Sequence, residues 1–522
     1  MTAEDKKAAA SARTASVEEA QAPHFSTQHL LGDLKGRAIS SGLVTGVSQA
    51  VQFVMTLVST MVLARLLLPR DYGLVTMVIT VLTFLRAFKE AGLSIATVQR
   101  EGITHAQVSN LFWINIAVTG TITIAVGASA PLIAWFYGEP RLAAVTRYLA
   151  LGFVVEGSTV QHMALLNRQM RFKTIASIQI AALAGSVATG IIMACSGCGY
   201  WSLVGYQLAA PVVLCVRTWS ASRWRPQWFT PRSGTRPLLD FGAKLTASWL
   251  VWSFARASDC LLIGRFYGAE AVGLYSRAGA LLSRPLEQVL GPTSTVFVPV
   301  LSRLQVQPER YRRTFLQLFE AMALMTFLST GMFFGLAKPL TLVVLGPKWE
   351  KAAVIFACMV IGALWYPFYS VCTWLYNSQG RGGDSLRGST MASILTICSI
   401  VAGLHWGPVG VAVSYSFTGL LIILPITSHI AGRTGPVSTR DIGTAFLRLM
   451  PLWGVVATAT FAVQHLLAGW WPLNQLLIGV PCGLAVGGLF IFLYPPTRRV
   501  ALSLIDIAQT MLKRRAAALP QK

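Results

Sequence analysis

Fourteen apolar runs of helix-spanning length follow one another along this chain, separated by short breaks marked by charge, proline or glycine. The first six lie near 42–64, 73–98, 109–134, 143–165, 174–195 and 199–219, and the next six near 238–262, 268–297, 314–336, 351–376, 388–406 and 408–430. A last pair occupies 445–467 and 473–494. About 20 consecutive apolar residues carry a helix across bilayer hydrocarbon, so each run is a candidate span. Only 12% of the residues are charged and 54% are apolar, with mean hydropathy +0.58, which excludes a soluble protein. The expected fold is an all-α membrane protein with about 14 transmembrane helices.

An even number of spans puts both termini on one side, and the excess of Lys and Arg in cytoplasmic loops says which. With cytoplasmic termini, 32 of the 43 basic residues fall inside and 11 outside. The net charge of +23 would suit nucleic acid if it formed one stripe, but it is dispersed in loop clusters, so no nucleic-acid partner is expected. Residues 1–37 form a polar, Ala- and Ser-rich stretch without the apolar core of a signal peptide, expected to be a disordered cytoplasmic tail. Residues 497–522 place Val500, Leu504, Ile507 and Met511 at helical spacing between basic ends, the pattern of an amphipathic cytoplasmic helix. The eight cysteines show no zinc spacing, and Cys195 and Cys198 sit at a tight connection without the context of a redox motif. No metal, cofactor or catalytic set is expected.

The heaviest inside loop, Arg217 to Lys244, carries six basic residues with Pro226, Pro231 and Pro237. It divides an N-lobe (38–220, spans one to six) from a C-lobe (238–430, spans seven to twelve), with a cytoplasmic linker at 221–237 and the added pair of spans at 431–496. An offset of 200 pairs Arg65 with Arg265, Gly73 with Gly273 and Leu74 with Leu274. Both copies follow an odd-numbered span, so the repeat is parallel, and duplicated halves of transporters hold the substrate path at their interface.

Polar residues inside the spans are candidate lining groups. Ser41, Thr45, Ser48, Gln49, Gln52, Thr56 and Ser59 share one face of the first span, either as helix-packing glue or as a wet wall. Thr83, Arg86, Glu90 and Thr97 share a sector of the second, where snorkelling is an equal reading. Arg277, Arg284 and Gln288 share a face of the eighth, which Pro285, Gly291 and Pro292 are expected to interrupt. Intramembrane arginines are costly and by default functional, and converging guanidinium groups suit a pyrophosphate. Glu156, with His162 further along its span, and Asp259, three residues after Arg256, are the ion-coupling candidates, although Arg256 and Asp259 could simply neutralise each other.

The stretch Leu63-Ala64-Arg65-Leu66-Leu67-Leu68-Pro69-Arg70-Asp71-Tyr72-Gly73 resembles the opening motif of the polysaccharide transporter family. These are the Wzx-like flippases of the multidrug/oligosaccharidyl-lipid/polysaccharide exporter superfamily. Three further stretches resemble it in the same order: Asp259 to Pro285 through Gly273-Leu274-Tyr275-Ser276-Arg277-Ala278, Val296 to Gln305, and Leu345-Gly346-Pro347-Lys348-Trp349. The resemblance implies an inner-membrane transporter that moves a polyprenyl-pyrophosphate-linked oligosaccharide to the periplasmic leaflet. By analogy with the lipid II flippase branch, it also implies cavity arginines on the first and eighth helices, for which Arg65 and Arg277 are the nearest positional matches. Arg284 departs from the family pattern before Pro285, which suggests an acidic repeat unit.

A drug/cation antiporter of the same superfamily would share the two lobes but should carry acidic residues in its cavity, where basic ones dominate here. A membrane polysaccharide polymerase or ligase would need a large outside loop or a carboxylate pair, and neither is evident. The expected partners are the undecaprenyl-pyrophosphate-linked oligosaccharide, the bilayer, and a polymerase and chain-length regulator.

Overall fold

Helix is the only regular structure among the described residues of the computed structural model. These are 34–90, 94, 97, 103–230 and 236–517, with side chains described at 42, 44–85, 94, 97, 103–230, 257–287, 297–506 and 509. Bilayer hydrocarbon forces this choice, because a backbone there must satisfy its own hydrogen bonds. Within the described residues, a helical segment overlaps each predicted run. Nine segments among the described residues are long and apolar enough to cross a membrane by themselves, one of them, Gly382–Gly432, covering two predicted spans.

The chain divides into two compact units, 1–257 with 268–270, and 258–267 with 271–522. In the first, α1 (Leu34–Leu66), α2 (Pro69–Glu90) and α3 (His105–Tyr137) are followed by a fourth span made of α4 (Arg141–Gly157) and α5 (Val160–Arg168). Next come α6 (Phe172–Cys195) and α7 (Trp201–Ser222). Thr104 and Gln107 close a capping box at the start of α3, and Gly138, at φ 67°, ends it in the left-handed region. α4 packs between α3, α7 and α2, while α1 lies along α6. Cys195 and Cys198 are free and exposed at the α6–α7 turn.

The stretch Arg236–Arg303 reads as 68 helical residues, roughly 100 Å at 1.5 Å per residue and far too long for one span. Gly268 has φ 77° and ψ −173°, a conformation closed to other residues, and divides it into α8 (236–267) and α9 (269–303). The two helices fold back on each other there: Asp259, nine residues before the break, lies within hydrogen-bonding reach of the Tyr275 hydroxyl, seven residues after it. The expected interruption at Pro285, Gly291 and Pro292 does not occur; helix continues through them. A proline withdraws one hydrogen bond and can kink a membrane helix without ending it.

The second unit continues with α10 (Pro308–Gly335), α11 (Ala337–Val344) and a tenth span formed by α12 (Glu350–Gly362) and α13 (Tyr366–Ser378). α14 (Gly382–Gly403) precedes a twelfth span of α15 (Gly407–Thr418), a π-helical turn (Gly419–Ile423) and α16 (Leu424–Gly432). α17 (Thr439–Leu466), α18 (Pro472–Leu493) and α19 (Pro495–Ala517) complete it. An aromatic core holds α10, α13 and α17 together: Phe319 and Phe327 pack on Phe368, and Phe446 meets both Phe327 and Phe368 edge to face. Arg312 grips Asp441 through two bonds of 2.9 and 2.6 Å, and Asp441 also closes a capping box with Ser438. α19 is the expected C-terminal helix, but Val500 is buried in this core and Leu504 packs on it. That part of its apolar stripe is therefore covered by protein, while Leu502 and Ile505 are exposed.

Candidate functional site

In α1 the polar stripe divides. Ser48 and Ser59 are buried, and Gln52 donates to Ser48 Oγ at 2.9 Å and to Gln179 Oε1 of α6 at 3.4 Å, so this edge is interhelical glue. Thr45 and Gln49 are exposed, and Arg65 is exposed at the end of the helix. Of the stripe's residues Ser41 lies outside the described side chains, as do Arg86, Glu90, Arg256 and Gln288.

The second unit carries the other arginines. Arg265 is exposed near the end of α8, its guanidinium 6.0 Å from the Phe266 ring centroid. Arg277 is half-buried in α9 and Arg284, two turns further, is exposed. Asp259 accepts the Cys260 amide at 2.6 Å and faces Tyr275, a partner that the sequence reading did not name.

Glu156 has the most distinctive surroundings. It is half-buried and lines a cleft in the first unit with Ile79 and Leu82 of α2, Leu149, Gly152 and Phe153 of α4, and Gln207, Leu208 and Pro211 of α7. The water-accessible space there is about 20 Å³, room for about one water. Immediately after Glu156 the fourth span breaks at Ser158 and Thr159. Ser158 Oγ donates to the Val155 carbonyl at 2.7 Å, Thr159 Oγ1 donates to the Glu156 carbonyl at 2.7 Å, and Trp219 Nε1 donates to the Ser158 carbonyl at 3.1 Å. The carbonyls released by the break are thus held by hydroxyls and an indole. Across the cleft, Pro211 lacks the N–H that the Gln207 carbonyl would accept in a regular helix. His162 is not in the cleft: it lies beyond the break, fully buried, stacked on Trp219 with ring centroids 4.4 Å apart.

The linker after α7 is a second feature that the sequence reading did not find. Arg223, at φ 53°, ends α7 in the left-handed region, and residues 223–230 run extended over the start of α3. Asn110 exchanges two bonds with Thr230, donating from Nδ2 at 2.7 Å and accepting at Oδ1 at 2.9 Å. Trp113 Nε1 donates to the Gln227 carbonyl at 2.7 Å, and the Trp113 and Trp228 rings stack 5.6 Å apart. The signals were present as Gly157-Ser158-Thr159, Pro211 and the Trp-rich stretch 224–228, but each acquires meaning only through a partner on another helix.

The described residues contain no cluster of His, Cys, Asp and Glu able to hold a metal. Comparison with known proteins places this frame. Teichuronic acid biosynthesis protein TuaB of Bacillus subtilis is 27% identical over 53% of this chain and 58% of its own length. Lipopolysaccharide biosynthesis protein WzxC of Escherichia coli is 23% identical over 73% of this chain and 78% of its own. Succinoglycan biosynthesis transport protein ExoT of Rhizobium meliloti is 26% identical over 60% and 64%. The chain therefore spans less than two thirds of the length of two of these relatives. Among solved structures, lipid II flippase MurJ in an inward closed conformation has a TM-score of 0.68 at 15% identity, covering 87% of this chain and 98% of that one. An inward-facing multidrug resistance MATE transporter of the MOP superfamily has a TM-score of 0.57 at 14% identity, covering 77% and 95%. At these identities the likeness is one of fold. Residues 62–354, more than half of the chain, match the family described as "Polysaccharide biosynthesis protein", and this multi-pass membrane chain belongs to it.

Proposed function

We propose that this protein is a flippase that carries a polyprenyl-pyrophosphate-linked oligosaccharide repeat unit across the bacterial inner membrane by alternating access, for surface polysaccharide synthesis. The observation that carries the reading is the polysaccharide biosynthesis family match over 62–354 on a helical frame like that of a lipid II flippase. The carrier is undecaprenyl pyrophosphate, and a polymerase and chain-length regulator act on the delivered unit. The two lobes, 38–220 and 238–430, rock about the substrate path, with both termini cytoplasmic as the basic loop residues require. Exposed Trp135, Trp406, Trp470 and Trp471 fall at the ends of odd-numbered spans or in the loops that follow them, which fits an aromatic belt on the outer face. In this reading the protein moves its substrate unchanged and catalyses no covalent step.

Arg277 holds the pyrophosphate and Arg284 an acidic sugar, while Arg65, Arg265, Arg86 and Gln49 line the path. A guanidinium offers two parallel donors to phosphate oxygens, and the anion offsets the desolvation of a membrane-embedded cation. Deletion of the gene should abolish the surface polysaccharide and leave the lipid-linked unit on the cytoplasmic leaflet. Arg277→Ala should abolish complementation at normal protein abundance, Arg277→Lys should restore part of it, and Arg284→Ala should be milder. Full export by Arg277→Ala would end the phosphate-clamp reading, and normal polysaccharide in the deletion would favour a drug or cation antiporter.

A further inference from the structure

We propose that the turn between the fourth and fifth spans, where Arg171 meets the end of α7, holds the phosphate of an anionic phospholipid from the adjoining leaflet. The inference comes from the same turn in the second unit. An offset of 210 pairs Asn167, Gln169 and Arg171, between α5 and α6, with Asn377, Gln379 and Arg381, between α13 and α14. Their backbones agree: Met170 at φ 53° answers Gly380 at φ 69°, and Arg171 at φ −81°, ψ 54° answers Arg381 at φ −84°, ψ 58°. The guanidinium groups also reach matching carbonyls. Arg171 Nη1 donates to Ala221 at 3.2 Å at the end of α7, and Arg381 Nη1 donates to Ala431 at 2.9 Å at the end of α16.

The two turns differ in their counter-charge. Arg381 pairs with Asp384, through Nε at 2.9 Å and Nη2 at 2.8 Å. Thr174 stands at the matching position of the first unit, and residues 157–239 contain eight basic residues and no acidic one. Arg171, Lys173, Arg223 and Arg225 are exposed, and among the described residues none of them has a carboxylate partner. Two of these cations converge on the end of α7. Arg225 Nη1 donates to the Trp219 and Trp224 carbonyls at 3.2 and 3.0 Å, on either side of the Ala221 carbonyl that Arg171 holds, and Arg223 lies between Ala221 and Trp224 in the chain.

The surroundings select the source of the missing charge. The cluster sits where two spans end, at the depth of lipid headgroups. The strap that follows presents Trp228, 84% exposed while stacked on Trp113, and Phe229, 53% exposed, and aromatic rings settle at that depth. A phosphodiester carries one negative charge over two non-bridging oxygens, the same pair of acceptors that the Asp384 carboxylate offers Arg381. Basic pockets between helix ends bind anionic headgroups for this reason. The second unit thus closes its turn with its own aspartate, and the first closes it with lipid.

The test is titration of the full-length protein in detergent with phosphatidylglycerol or phosphatidylcholine, bound lipid being counted by native mass spectrometry, with inorganic phosphate as competitor. One phosphatidylglycerol should bind in preference to phosphatidylcholine and stay bound in millimolar phosphate. Arg171→Gln should weaken that binding roughly tenfold, the worth of one charge-assisted hydrogen bond. Thr174→Asp gives the first unit the carboxylate of the second and should weaken it by a similar factor, while Lys338→Gln, which removes one positive charge from the second unit, should leave it unchanged. Equal affinity for the two lipids, displacement by inorganic phosphate, or parental affinity in both Arg171→Gln and Thr174→Asp would overturn the proposal. Should Arg171→Gln fail to fold for want of its bond to Ala221, Thr174→Asp keeps that bond and decides alone. The readout needs neither glycan nor transport, so its failure leaves the flippase reading untouched.

Discussion

The fourth and the tenth spans occupy the same ordinal place in the two halves, and both break one residue after the end of a helix closed by glycine. In the first unit α4 closes at Gly157, and the turn is held by hydroxyls beside an acidic cleft. In the second, α12 closes at Gly362 and the turn of Ala363, Leu364 and Trp365 is filled with side chains, all three buried. The twelfth span, opposite, bulges at Gly419–Ile423, and a Cβ on Gly419 would stand 1.9 Å from Trp365 Nε1. Ile361 occupies the position before Gly362 that Glu156 occupies before Gly157. The two breaks are thus alike in position and different in content. One is a small cleft with Glu156 and Gln207 in a mostly apolar lining, and the other an indole-filled plug, so the side chains beside a break decide what it becomes.

The comparison breaks most severely at Gly419. Gly419→Ala drives a methyl group into a rigid, buried indole and should cost about 3 kcal/mol, read as a lower unfolding temperature in detergent. Stability within 0.5 kcal/mol of the parent, or roughly so, would show that Trp365 does not plug the break. Ile361→Glu imports the carboxylate into the second unit, where Ile361 packs on the hydrophobic core, and should cost roughly 2 kcal/mol. A cost near zero would mean that this break is also wet.

Gly157→Ala meets Thr119 Oγ1 at 2.3 Å, a hydroxyl that can turn aside, so about 1 kcal/mol is expected. The smallest change in stability belongs to Glu156→Ile, which makes the first break resemble the second and should shift unfolding by less than about 1 kcal/mol. A loss above about 2 kcal/mol in the same melting assay would show that the carboxylate is built into the first break and not merely tolerated there.

Part of the candidate site was legible in advance. Glu156 stood out because a carboxylate is costly in an apolar run, and Arg277 for the same reason. Gln207 did not, since an amide in a span is commonly packing glue, and only the tertiary structure puts it in one cleft with Glu156. His162 was grouped with Glu156 by sequence proximity, yet the turn at Ser158 and Thr159 sends it to Trp219. The linker read as a proline-rich spacer because Asn110, which holds Thr230, lies 120 residues earlier in the chain.

The sequence by itself determined where the helices are and that they lie in a membrane. Hydrocarbon solvates neither charge nor free backbone, so every span must announce itself locally as an apolar run, and each predicted run meets a helix. Only the tertiary structure decided where those helices give way: at Gly268 but not at Pro285 or Pro292, and after Gly157 and Gly362. A broken turn survives when a neighbouring helix supplies the missing partners, such as the Trp219 indole for Ser158 or the Gly419 hollow for Trp365, and those partners lie 54 or more residues away along the chain.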